Sequence, residues 1–178
     1  MRVLAGIYKS KKIQTINSSG TRPMMSKVRE AIFNSIQFTI EEKDVLDLYS
    51  GSGSLGIEAL SRGANYVTFV ELSKECILIL KKNIENMKNN LSIVNSSVNS
   101  FIQNSINKYH VIFYDPPFEL DETQVNEEVL IIENILYESG LLIIHRHKSS
   151  KDIKFSKNYE IHREKNYGQS KILILRRI

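Results

Sequence analysis

Residues 44–56 read Asp44-Val45-Leu46-Asp47-Leu48-Tyr49-Ser50-Gly51-Ser52-Gly53-Ser54-Leu55-Gly56. Val45, Leu46 and Leu48 form an apolar strand pattern, three glycines punctuate a tight turn, and Leu55 to Leu60 has the composition of a helix. A strand, a loop and a helix in that order aim the N–H groups of the helix start at a ligand, and glycine lets the ligand approach the backbone. Alone, the motif is weak. Two later stretches strengthen it: Tyr66 to Val70 ends in Glu71, and Val111 to Tyr114 runs into Asp115-Pro116-Pro117-Phe118. Polar groups at successive strand ends of an open α/β sheet share the crevice where such folds bind ligands.

Working outward, strands are expected at 44–49, 66–71, 91–95, 109–114, 141–145, 159–163 and 171–175, with helices at 54–62, 73–88, 98–106 and 124–138. The 73–88 helix carries Cys76, Ile77, Leu80, Ile84 and Met87 as one stripe. Such alternation argues for an α/β fold with a mostly parallel seven-stranded sheet and helices on both faces. The last two strands, joined through Gly168, suit an antiparallel hairpin at the sheet edge. Ahead of this unit, 2–8 and 11–16 alternate as a β-hairpin around Lys9-Ser10, and Val28, Ile32 and Ile36 mark a helix over 26–38. The expected organisation is an extension, 1–40, followed by a ligand-binding domain, 41–178.

A chain of 178 residues buries one good core and has no room for two full enzyme domains. No apolar run is long enough to span a bilayer, and residues 1–12 lack the apolar centre of a secretory signal, so no membrane association and a cytoplasmic location are expected. Cys76 is the single cysteine, which excludes an internal disulfide and a thiolate zinc cluster. The net charge of +4 is unevenly spread: residues 1–40 hold seven Lys/Arg against one acid, 145–178 ten against three, and the middle seven against sixteen. Basic ends around an acidic centre suit a polyanionic partner, though solvated lysines give the same count. Arg22 and Lys27 are candidate phosphate contacts; Arg29 is either another or the partner of a nearby acid.

Gly51-x-Gly53-x-x-Gly56, with Glu71 20 residues after Gly51, satisfies the dinucleotide fingerprint, so a small NAD-dependent oxidoreductase is one reading. Asp47 argues against it, because a carboxylate beside the loop repels a diphosphate. S-adenosylmethionine has an ammonium, a sulfonium and an adenosine but no phosphate, and it fits the same loop. Asp47, Tyr49, Ser50, Gly51 and Gly53 then hold its amino-acid end. Glu71 offers two acceptor oxygens to the ribose diol, Leu72 gives the adenine an apolar surface, and Ser97 meets the adenine edge. Read purely structurally, Asp47 and Glu71 are solvated strand ends.

In Asp115-Pro116-Pro117-Phe118 the prolines stiffen the loop and fix the direction of the Pro116 carbonyl. A nucleobase amine is a poor nucleophile because its lone pair is delocalised into the ring. If the Asp115 carboxylate and the Pro116 carbonyl accept its two N–H bonds, the nitrogen is turned toward a methyl donor, while Phe118 stacks on the base. The structural alternative is a rigid turn whose aspartate caps the 124–138 helix.

These residues resemble the bacterial small-subunit ribosomal RNA methyltransferases that modify a guanine N2 in 16S rRNA, and the likeness covers nearly the whole chain. It runs through Arg2 to Gly6 with Tyr8-Lys9, Thr21-Arg22-Pro23, Lys27 to Phe33, Leu46 to Ala64, Asp115 to Phe118, His162 to Lys165, and Gly168-Gln169. The resemblance implies a class I methyltransferase, Rossmann-like fold that acts as a monomer on an assembled or partly assembled small subunit. In it the N-terminal hairpin, with Lys9 and Lys11, helps grip RNA. Adenine N6 methylation of DNA shares the Asp-Pro-Pro-Phe signature but needs a target-recognition domain, and a non-catalytic RNA-binding assembly factor is a reading from another class. The chain departs from the pattern at Ser97, where an Asp or Asn is common, and at His145-Arg146-His147, where an acidic residue is expected. His145 and His147 alternate and so face one way, adding basic groups near the substrate mouth; no third ligand accompanies them to build a metal site.

Overall fold

Val111-Ile112-Phe113-Tyr114 is apolar at every position because the strand it forms is covered on both faces. The computed structural model describes residues 1–15, 26–88 and 90–178. Its strands are β1 (Asp44–Leu48), β2 (Tyr66–Glu71), β3 (Asn90–Asn95), β4 (Tyr109–Tyr114), β5 (Leu136–His147), β6 (Tyr159–Tyr167) and β7 (Ser170–Arg177). The helices are α1 (Ser26–Ser35), α2 (Ser54–Ser61), α3 (Lys74–Ile84), α4 (Val98–Asn104) and α5 (Glu122–Ile132). They form one seven-stranded sheet in the order β3-β2-β1-β4-β5-β7-β6. β1 to β5 pair in parallel; β7 runs antiparallel to both β5 and β6. The chain order reverses between β1 and β4, which opens a crevice at the carboxyl ends of those strands.

Alternate strand residues feed two cores. On one face Val28 and Phe33 of α1, Ile57 and Leu60 of α2 and Leu80 of α3 pack on Val45, Phe69, Phe113 and Ile143. On the other, Val98 and Ile102 of α4 and Val125, Val129 and Ile132 of α5 pack on Leu46, Val70, Ile112 and Leu142. Among the described residues, no helix is long and apolar enough to cross a membrane.

Several boundaries differ from the sequence reading. The helix expected over 124–138 ends at Ile132, passes through one tight turn at Glu133–Ile135, and gives way to a strand that starts at Leu136 rather than 141. Leu136 pairs with Tyr109, and the register slips before Leu141 pairs with Val111, with Ser139 in the left-handed region at φ 62°. Ile135 and Leu136 extend the helical spacing of apolar residues, but a short apolar run does not separate helix from strand. The N-terminal hairpin also forms differently. Instead of two strands it has a single antiparallel bridge, Arg2 to Lys12, supported by Val3 N–H donating to Lys11 and Ile13 N–H donating to Met1. Arg22 and the rest of Thr21-Arg22-Pro23 lie outside the described residues.

What fixes this segment is a buried carboxylate. Glu58 of α2, with a fully buried side chain, accepts from the N–H groups of Leu4 and Ala5 at 2.8 and 3.1 Å and from Arg62 Nε at 2.8 Å. Arg29 lies equally buried, its Nε 4.0 Å from Glu58, and donates to the Arg2 carbonyl. Arg29 is therefore a structural cation, paired with an acid rather than presented to a polyanion. Removing one partner of a buried pair strands the other. Glu58→Ala is expected to destabilise the protein by about 3–5 kcal/mol, measured as a drop in the urea midpoint with unchanged slope.

Candidate active site

Asp47, Glu71 and Asp115 come from β1, β2 and the loop after β4, and the parallel register carries all three to the same sheet edge. Asp47 pairs with Phe113, and Leu48 with both Val70 and Tyr114. Asp47 is 1% exposed, so it is not a solvated strand end. Its Oδ2 accepts from Gly56 N–H at 2.8 Å, tying the strand to the first turn of α2. Burial pushes the Asp47 carboxyl well above the usual carboxylate range; the Gly56 N–H opposes this, and the charges of Asp115 and Glu71 push it further up. Such a group favours a cationic ligand, whose charge relieves the repulsion.

Glu71 is held by two backbone donors, Gly51 N–H on Oε2 and Ser73 N–H on Oε1, each at 2.8 Å. This fixes the carboxylate plane and leaves one lone pair on each oxygen for a diol. Gly51 sits at φ 53°, and a Cβ there would meet nothing within 4 Å among the described residues. At Gly53 and Gly56, by contrast, a Cβ would come within 2.3 Å of Leu80 and 2.2 Å of Phe69. Of the three glycines only Gly51 opens space for a ligand; the other two let α2 lie close against β2 and α3. Ser50 Oγ is buried without a partner among the described residues, and Leu72 is 66% exposed beside Glu71. The donor set therefore fits S-adenosylmethionine: a carboxylate for an ammonium, an unpaired hydroxyl, an acceptor pair for a diol and an apolar side chain.

Two expected cofactor residues use their side chains elsewhere. Ser97 Oγ caps α4, accepting from Ser100 N–H at 3.2 Å. The Tyr49 hydroxyl donates to Glu128 of α5 at 2.9 Å, so its backbone, with φ 58°, is what enters the loop. Glu128 is fully buried and also takes the Tyr114 hydroxyl at 2.8 Å and Gln124 Nε2 at 2.9 Å. Burial, then the Glu128 charge, raises both phenols far above their ordinary pKa, so both remain donors. The sequence reading did not single out Glu128, whose spacing from Val125 and Ile132 places it on the buried face of α5.

Asp115 does not cap the following helix. Asp121 does, accepting from Thr123 N–H at 2.8 Å and Gln124 N–H at 3.4 Å. Asp115 instead bonds His145 Nδ1 through Oδ1 at 2.7 Å, and the His145 Nε2 lies 2.8 Å from Ser170 Oγ. His145 is 6% exposed and is not part of a basic surface, contrary to the sequence reading. Its closeness to Asp115 follows from register, since β4 and β5 pair at an offset of 30 residues (Val111 with Leu141) and 30 separates Asp115 from His145. Arg146, 4% exposed, donates to the carbonyls of Pro117, Phe118 and Leu120 and so braces the loop from behind. Pro116 is buried, and its carbonyl has no donor among the described residues. Phe118, 39% exposed, meets His145 and His147 edge-on at centroid distances of 5.3 and 5.6 Å, leaving ring surface on a groove lined by Leu120, His147 and Lys151. A more enclosed cavity of 280 Å³ lies under residues 150–155, and its Lys171 is paired with Asp152 and Glu164. Lys9 and Lys27 are exposed and Lys11 half-buried.

The raised Asp47 carboxyl has a consequence for stability. The folded protein holds a proton there more tightly than the unfolded chain, so stability falls as pH rises from the ordinary value of 3.8 through the native one. Asp47→Asn keeps an acceptor for Gly56 and is expected to be more stable than the parent at neutral pH, the gain vanishing below about pH 4; urea unfolding across pH checks this.

The family model described as conserved hypothetical protein 95 matches residues 1–176. Ribosomal RNA small subunit methyltransferase D of Haemophilus influenzae is 35% identical over 94% of this chain and 89% of its own length. The solved structure of yhhF from Escherichia coli superposes with a TM-score of 0.87 at 29% identity, covering 99% of this chain and 97% of that one. The structure of SMU.776 in complex with SAH, at TM-score 0.72 and 19% identity over 88% of this chain and 50% of that one, shares the fold alone. The architecture is the class I methyltransferase fold that the resemblance implies. By the match to its model and by the identity to its curated relative, this chain belongs to the ribosomal RNA small subunit methyltransferase D family.

Proposed function

We propose that this protein uses S-adenosylmethionine to methylate the exocyclic N2 of a guanine in 16S ribosomal RNA, within an assembled or partly assembled small subunit. It would act in the cytoplasm as a monomer. The observation that carries the reading is the meeting at one sheet edge of two sets of groups. One is a cradle for a cationic, diol-bearing ligand (Asp47, Ser50, Gly51, Glu71). The other is an amine-sized pair of acceptors, Asp115 and the undonated Pro116 carbonyl, beside a half-exposed Phe118. The name of the Haemophilus relative supports a small-subunit ribosomal RNA substrate, and the SAH bound by SMU.776 supports the cofactor.

When bound, the cofactor supplies an electrophilic methyl group on a sulfonium. Asp115 and the Pro116 carbonyl accept the two N–H bonds of the amine and turn its lone pair toward that methyl. The Asp115 carboxylate accepts the N–H proton that the amine gives up. Phe118 holds the base face, and the bracing of its loop by Arg146 limits the angular freedom that would otherwise slow an in-line displacement. Exposed Lys9 and Lys27, with half-buried Lys11, supply phosphate contacts that position the RNA without reading its sequence. Residues 1–40 serve as the RNA-contacting extension, and 41–178 as the catalytic domain.

Labelled cofactor incubated with 30S particles from a strain lacking the enzyme, followed by nuclease mapping, tests the reading: label in one guanine is expected, and label in adenine or none refutes it. Calorimetric titration is expected to show binding of S-adenosylmethionine and none of NAD. Asp115→Ala is expected to lower transfer by about a hundredfold or more while cofactor affinity stays near that of the parent. Transfer at the normal rate would remove Asp115 from the mechanism.

A further inference from the structure

Asp115 leaves the sheet at a strand end, and a carboxylate there must be stopped from rotating if one oxygen is to meet an amine. An ionised carboxylate only accepts hydrogen bonds, so the 2.7 Å contact to His145 Nδ1 requires the proton on that nitrogen. In a neutral imidazole Nε2 is then an acceptor, and the Ser170 hydroxyl 2.8 Å away must donate to it. Ring and serine are 6% and 8% exposed, so water competes little for either bond. β5 and β7 are bound along seven residue pairs, from Leu141–Arg176 to His147–Ser170, which holds the serine in place. Asp115 Oδ2 has no protein partner among the described residues.

We infer that His145 is a positioning residue for methyl transfer: Ser170 anchors its ring at Nε2, its Nδ1–H pins Oδ1 of Asp115, and Oδ2 is thereby presented to the substrate amine. The same ring meets Phe118 edge-on at 5.3 Å, so one imidazole sets both the acceptor and the stacking surface. Without the serine the Asp115 carboxylate still draws the proton to Nδ1, but the ring loses the bond at Nε2 that fixes its orientation. The arrangement resembles a catalytic triad, in which an outer group holds a histidine in the productive orientation, but here the carboxylate is the inner member. The inference rests on the reading of Asp115 as the acceptor for the amine.

Two measurements test it. In protein labelled with nitrogen-15 at histidine, long-range proton–nitrogen spectra are expected to show His145 as the Nδ1–H tautomer in the parent. In the transfer assay, His145→Leu is expected to lower kcat by about 10- to 100-fold, the range for removal of a hydrogen-bonding orienter, with KM for S-adenosylmethionine unchanged. His145→Asn, whose amide N–H replaces the Nδ1–H, is expected to recover most of that loss. Ser170→Ala is expected to lower kcat about two- to tenfold, and it keeps the kinetic test available should His145→Leu fail to fold. An Nε2–H tautomer in the parent, or parental kcat in His145→Leu or Ser170→Ala, overturns the inference. If the parent methylates no RNA, the proposed function fails, while the tautomer spectra still decide the Ser170–His145–Asp115 arrangement.

Discussion

The parallel pairing of β1 with β2 on one side and β4 on the other brings Asp47, Glu71 and Asp115 to one edge, where their like charges work against each other. Every nearby device manages that repulsion. Asp47 takes an N–H from the start of α2, Glu71 takes two from the cofactor loop and the turn into α3, and Asp115 takes the imidazole of His145. None of these donors carries a full positive charge in its neutral form, so the edge is left with a surplus of negative potential. A cationic ligand is the natural remedy, and a diphosphate would worsen the imbalance.

Much of this was legible before the fold was known. Strand and helix alternated with clear periods, and the three polar strand ends stood out because each followed an apolar run. What sequence could not separate were the uses of identical residues. Gly51, Gly53 and Gly56 form one motif, yet only the first opens space, because which atoms a missing Cβ would meet depends on Leu80 and Phe69, both brought in by other elements. Ser97 carries a hydroxyl suited to a ligand or to a helix cap, and the local chain decides in favour of the cap. Alternation puts His145 and His147 together on one side of their strand and so suggests a basic surface, whereas β7 and the Asp115 loop enclose His145.

The charge reading needs a similar adjustment. Basic residues cluster at the two ends of the chain, but Arg29 and Arg146 are internal braces, one opposite Glu58 and the other behind the Pro117–Leu120 carbonyls. Guanidinium suits both duties, since it offers several donors from one plane and keeps its charge when buried. The cations left for a polyanion are mostly lysines, whose flexible stems suit contacts with a phosphate backbone. The division of labour is by residue type: arginine for these interior scaffolds and lysine for the surface.

The docking of the first residues onto Glu58 joins parts of the chain 54 positions apart. A ribosome making this protein delivers the opening segment long before its anchor, so Val3 and Ile13 must wait, uncovered, until α2 has emerged. Val3 and Ile13 are therefore made before α2, yet they cannot settle until the glycine loop is built. Completion of the N-terminal lobe and assembly of the ligand cradle become parts of a single folding event.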